Sequence, residues 1–190
     1  MDFLIKNGRV YDPETHQLIR KNMALVNGKI EYPGEGRDES GYRQVIDARD
    51  CLVTPGLIDY HTHYFFRGSE NGVNGDAASF CMGITTAVDG GTAGVGGYEL
   101  YRASVMAMSS VRILNCLLVA SGGQSNDRYP ENLDPRYFEE EKILDFFRRY
   151  GDNLVGLKTR LSRGILDEDM ARSSLKRTVE IAEKAGTRVV

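Results

Sequence analysis

From Pro55 onward the sequence alternates short apolar runs with longer amphipathic stretches, and this alternation restricts the fold more than any other feature. Such a pattern builds βαβ units, whose strands lie parallel in one sheet. The spacing predicts strands near 56–62, 84–89, 111–120 and 154–161. Between the last two, Asp134 is placed to cap a helix with Pro135 at its first position, running through YFEEEKILDFFRRY to Gly151. A second helix is expected from about Asp167 to 185, closed by Gly186, before Thr187-Arg188-Val189-Val190 opens another strand.

Strand plus helix recurs about every 30 to 40 residues, the repeat of a β/α barrel, and a whole barrel takes roughly 250 residues. Residues 53–190 are about half of that. The expected fold class is therefore α/β, the N-terminal half of a (β/α)8 TIM-type barrel that ends at the start of strand five. Four parallel strands with an open fifth leave edge groups and apolar surface uncovered. The sequence reads as a fragment, a truncated reading frame or one part of a longer assembly. Residues 1–52 differ in kind: FLIKNGRVYD, MALVNGKIEY and RQVIDARDCLV are short strands, with Asn7-Gly8 and Asn27-Gly28 as hairpin signals.

Composition narrows the partners. A net charge of -3 with no long basic run gives no reason to expect nucleic acid or an anionic membrane. No apolar run approaches the roughly 20 residues needed to cross a bilayer, and MDFLIKNGRV lacks a signal-peptide core. A cytoplasmic location is expected. Cys51, Cys81 and Cys116 form no close-spaced pair and read as buried thiols rather than a disulfide or zinc knuckle.

Two of the three histidines, His61 and His63, stand one residue apart at the end of the first barrel strand, in LVTPGLIDYHTH. Residues two apart on a strand share a face, so Leu57, Asp59, His61 and His63 are expected inward, with Ile58 and Tyr60 toward the helices. The C-terminal ends of strands are where barrels build their sites. Two readings stand: two imidazoles reaching one metal ion, or two histidines with satisfied hydrogen bonds. RGSENGVNGD follows as a flexible rim.

Alternation along LVGLKTRLS puts Lys158 and Arg160 on the inward face of the fourth strand. An ammonium is costly to bury, so a lysine there loses its proton or acquires a partner. The amine can add carbon dioxide to give a carbamate that bridges two metals, or it can snorkel to solvent. DGGTAGVGG lacks the lysine and hydroxyl of a phosphate loop and is read as a βα loop lining the pocket, and ARSSLKRTVEIAEKAG as a solvated helix face.

Taken together, PGLIDYHTH, GITTAVDGGTAG, RILNCLLVASGG and VGLKTRLS resemble successive barrel strands of the amidohydrolase superfamily, in its deacetylase-type branch close to dihydroorotases. FLIKNGRVYDPETH with MALVNGKI resembles that family's small N-terminal β-sandwich. The resemblance implies a metal-dependent hydrolase of C–N or ester bonds. His61 and His63 would bind the more buried ion, and Lys158, as N6-carboxylysine, would bridge it to a second, with zinc the expected metal. The ions would activate water and polarise the carbonyl. Acylated amino acids are the favoured substrates, with cyclic amides and imides as the alternative.

The family pattern also requires two later histidines and a proton-transferring aspartate, which the resemblance places after Val190; that role is not given to Asp59 or Asp89. Asp59 is left between support of a metal ligand and a structural hydrogen bond. With His16 in the β unit and no histidine after His63, a catalytically silent chain is a competing reading. Pairing of two half-barrels would make the chain a homo-oligomer.

Overall fold

The computed structural model describes residues 2–34, 36, 38–126, 128–162 and 164–190. Two compact units divide the chain, 1–55 and 56–190.

The first unit holds seven strands, β1 (Phe3–Lys6), β2 (Arg9–Asp12), β3 (Gln17–Arg20), β4 (Met23–Val26), β5 (Lys29–Glu31), β6 (Gln44–Asp47) and β7 (Leu52–Val53). They form two small sheets, ordered β5-β4-β1-β6 and β3-β2-β7. Leu4, Val10, Ala24 and Ala48 are its buried apolar residues. Asn27 and Gly28 both take positive φ, 50° and 75°, and join antiparallel β4 and β5, as an Asn-Gly hairpin requires.

Asn7-Gly8 does something else. Asn7 is left-handed at φ 64°, but β1 and β2 belong to different sheets, so the turn passes the chain from one sheet to the other. Gly8 is packed so tightly that a Cβ would lie 2.7 Å from the Val53 side chain. Turn chemistry is legible locally, whereas strand pairing depends on β6 and β7, which arrive later and pair parallel with β1 and β2.

The second unit alternates β8 (Leu57–Thr62), α1 (Gly75–Ser79), β9 (Ile84–Asp89), α2 (Tyr98–Ser104), β10 (Arg112–Leu118), α3 (Glu140–Tyr150), β11 (Leu154–Lys158) and α4 (Glu168–Ala185). Its sheet is parallel, in the sequential order β8-β9-β10-β11. Beyond β11, Leu157 bridges Val189, and Val190 N donates to Leu157 O at 2.9 Å. The expected next strand thus starts to pair.

Helices cover the sheet through apolar stripes. Ile143, Phe146 and Phe147 of α3 recur at helical spacing and are buried with Leu117 and Leu157 of the sheet. Tyr98 of α2 packs its ring 5.8 Å from Phe146. Among the described residues no helix is long and apolar enough to cross a membrane.

Several expectations need correction. Asp134 caps a separate 3-10 turn, Pro135–Tyr137, and α3 begins at Glu140, because Phe138 is extended at ψ 121° and turns its own ring into the core. Gly151 ends α3 with an ordinary right-handed backbone. Asp167 and Gly186 cap α4 as expected, but this helix is not solvated all round: Ser174, Thr178, Ile181 and Ala182 are buried. Ile58 and Tyr60, expected toward the helices, are 66% and 52% exposed on β8, the last strand in the sheet order. Of the cysteines only Cys116 is buried; Cys51 and Cys81 are exposed.

Candidate metal centre

The site is built where β8, β9 and β11 end. β8 is fastened to β9 past its last residue: Gly90 N donates to Thr62 O at 2.8 Å, and Tyr64 N donates to Asp89 Oδ2 at 2.8 Å. Thr62 is buried between His61 and His63, which project together. Their ring centroids are 5.5 Å apart with planes at 64°. A cavity of about 270 Å³ is lined by both histidines, Lys158, Arg160, Asn71, Gln124 and Ser162.

Two glycines supply the floor. A Cβ on Gly90 would stand 2.6 Å from Cδ2 and Nε2 of His61, and one on Gly91 would stand 2.7 Å from Cγ of Lys158. Gly91 also holds φ 98°, which L side chains rarely adopt. The end of β9 is therefore bare backbone because ligand-type side chains from both neighbouring directions lie across it.

His63 is held by a chain of polar groups. Its Nδ1 lies 2.7 Å from Thr92 Oγ1, and that hydroxyl donates to Asp89 Oδ2 at 2.9 Å. Asp89 is fully buried and accepts further hydrogen bonds from the backbone N–H groups of Gly91, Thr92 and Tyr64 and from the Tyr101 hydroxyl. Burial, reinforced by Asp89, pushes the Tyr101 hydroxyl well above its usual range, so it stays a donor. Burial also lowers the pKa of His63; Asp89 opposes this, while His61, Lys158 and Arg160 add to it. The neutral imidazole, the form that binds metals, is favoured.

At the cavity mouth Arg160 Nη1 donates to Glu131 Oε1 at 2.9 Å. Glu131 has only 4% of its side chain exposed, and its buried Oε2 has no hydrogen-bond partner among the described residues. Cys116 does not line this cavity, and burial pushes its thiol up to about 11. Asp59 accepts the backbone N–H of His61 at 3.1 Å, a structural hydrogen bond that steadies a histidine.

The structure brings together all three residues singled out as ligands, His61, His63 and Lys158. Among the described residues no group of three or more His, Cys, Asp or Glu could hold an ion. Two imidazoles and a lysine fit part of a divalent-ion site and fall short of the four donors zinc prefers. Arg160 lines the cavity as strand alternation predicts. Thr92, Gln124 and Glu131 escaped sequence reasoning. For Thr92 a signal was present: Asp89-Gly90-Gly91-Thr92 places an aspartate to bond backbone two and three residues on. The 67–76 loop is better tied than a flexible rim, through Ser69 Oγ to Gln124 O at 2.6 Å and Val73 N to His63 O at 3.0 Å.

These features define a class, parallel β/α proteins that gather polar side chains at the C-terminal ends of their strands. The chain belongs to the amidohydrolase superfamily. It is 30% identical to a deacetylase of Agrobacterium fabrum over 140 residues, 73% of this chain and 34% of that protein. It is 42% identical to a dihydroorotase of Enterococcus faecalis over 89 residues, 45% of this chain and 21% of that one. A crystal structure of a dihydroorotase matches the fold with a TM-score of 0.86 at 24% identity, covering 99% of this chain and 50% of that one. The chain thus spans about a third or less of these two relatives and half of the matched structure. No family model matches it.

Proposed function

We propose that this chain forms the first half of a (β/α)8 barrel, preceded by part of a β-sandwich, in a metal-dependent hydrolase cleaving C–N or ester bonds of small molecules. The observation that carries the reading is the convergence of His61, His63 and Lys158 on one cavity at the strand ends. His61 and His63 would hold one ion, and Lys158, as N6-carboxylysine, would bridge it to a second, zinc being the expected metal. A bound divalent ion supplies Lewis acidity and lowers the pKa of water. The carbamate converts a cationic side chain into an anionic oxygen donor.

Acylated amino acids are the proposed substrates. Arg160 is braced by buried Glu131 through one nitrogen, and among the described residues its other N–H groups have no partner, which suits a substrate carboxylate in the cavity it lines. The similarity to dihydroorotases favours cyclic amides as a second reading. The setting is a cytoplasmic, small-molecule one without nucleic acid or membrane, and the chain is expected to associate with itself.

The test combines zinc, bicarbonate and N-acetyl amino acids with the chain and with the longer protein it matches in part. Hydrolysis that is lost on chelation and in His61→Asn and Lys158→Ala supports the proposal. Turnover indifferent to chelator would sink it. Ring opening of dihydroorotate with N-acetyl amino acids inert selects the cyclic-amide reading, and zinc binding without turnover makes this chain a silent part of a larger site.

A further inference from the structure

We propose that Thr92, clamped by Asp89, is a positioning residue that fixes His63 as the Nδ1–H tautomer and so leaves Nε2 as its lone-pair nitrogen. The reasoning is donor counting. Asp89 Oδ2 already accepts Tyr64 N–H and the Tyr101 hydroxyl, and Oδ1 accepts Gly91 and Thr92 N–H, so the carboxylate serves as acceptor throughout. The hydroxyl proton of Thr92 is committed to Asp89 Oδ2 at 2.9 Å. Thr92 Oγ1 can then only accept from His63 Nδ1, 2.7 Å away, and the proton of a neutral imidazole must sit on Nδ1.

Neutral imidazole in water otherwise interconverts between two tautomers, so an unbraced His63 would offer the wrong nitrogen for part of the time. The brace is itself rigid. Thr92 and Asp89 are buried, and Asp89 is bonded by groups from the chain after β8, its own turn and α2. His61 shows no equivalent: among the described residues its ring has no hydrogen-bond partner, and its backbone N–H is bonded to Asp59. The two histidines therefore differ in kind, His63 preset and His61 adjustable. This inference deepens the metal-site reading and rests on it for the purpose of the tautomer, though not for its existence.

The experiment reads the full chain, free of metal, at about pH 8, above the usual imidazole pKa of about 6.5. Long-range proton–nitrogen correlation of its histidine-labelled form, with His63 assigned by His63→Asn, should show protonated Nδ1 and bare Nε2. Thr92→Val, nearly isosteric, should release His63 into a tautomer mixture, and Thr92→Ser should restore the wild-type signature. A wild-type His63 protonated on Nε2, or a tautomer unmoved by Thr92→Val, overturns the inference; should Thr92→Val fail to fold, the wild-type spectrum still decides. Zinc affinity by chelator competition should fall about 10- to 100-fold in Thr92→Val and recover in Thr92→Ser. A chain that binds no zinc at all, with the Nδ1–H signature intact, removes the metal reading and leaves the tautomer lock standing.

Discussion

Gly90 and Gly91 illustrate how a site residue can be one without a side chain. Their Cβ positions are taken by His61 and Lys158, so methyl groups there compete directly with the ligand set. Gly90→Ala should push the His61 ring aside and weaken zinc binding about tenfold or more, measured by chelator competition. Its urea midpoint should move little, because a ring at an exposed position can swing away at small cost. At this scale the sequence was informative about which side chains converge: HxH spacing and strand alternation place His61, His63, Lys158 and Arg160 on one cavity. It was silent on their supports. Glu131 reaches Arg160 from 29 residues away in the chain, and no local periodicity encodes that contact.

Elements were legible where their signals were local and less so where tertiary packing chose the boundary. Asp167 and Gly186 frame α4 because a side-chain cap and a left-handed glycine act within one turn. The Asp134-Pro135 signal is just as local, yet it opens only a 3-10 turn, since burying Phe138 stops the helix from propagating. The start of α3 instead depends on a contact with α4: Glu140 pairs with Arg177 and, at 2.6 Å, with Lys184. The hydrogen bond from Lys184, followed by the charge of Arg177, holds the Glu140 carboxyl below its usual range. A carboxyl lowered in the folded state stabilises above its unfolded value of 4.5, and this is lost as pH falls through the lowered folded value. Glu140→Gln should therefore destabilise by under about 1 kcal/mol at pH 7, as usual for partly exposed pairs. In urea titrations the difference from wild type should shrink as the pH falls below 4.5.

On the scale of the whole molecule, the alternation after Pro55 yields a parallel sheet in sequential order, and the two small sheets of residues 2–55 match the strand-and-turn pattern of the first stretch. Which of those early strands would pair was not legible, because β6 and β7 join them from some 35 or more residues away in sequence. Among the described residues β8 is the last strand of its sheet, and it carries Ile58 and Tyr60 largely exposed, an apolar strip along a sheet edge. The chain should accordingly self-associate in light scattering at micromolar concentration, and Ile58→Lys should shift it to the monomer mass. One buried contact gives the integrity of this unit a clock. The Tyr64 amide proton is bonded to the buried Asp89 carboxylate just past the end of β8, so its exchange for deuterium requires an opening that breaks this bond. Its exchange lifetime measures how long the Asp89 carboxylate that braces Thr92, and through it His63, stays closed.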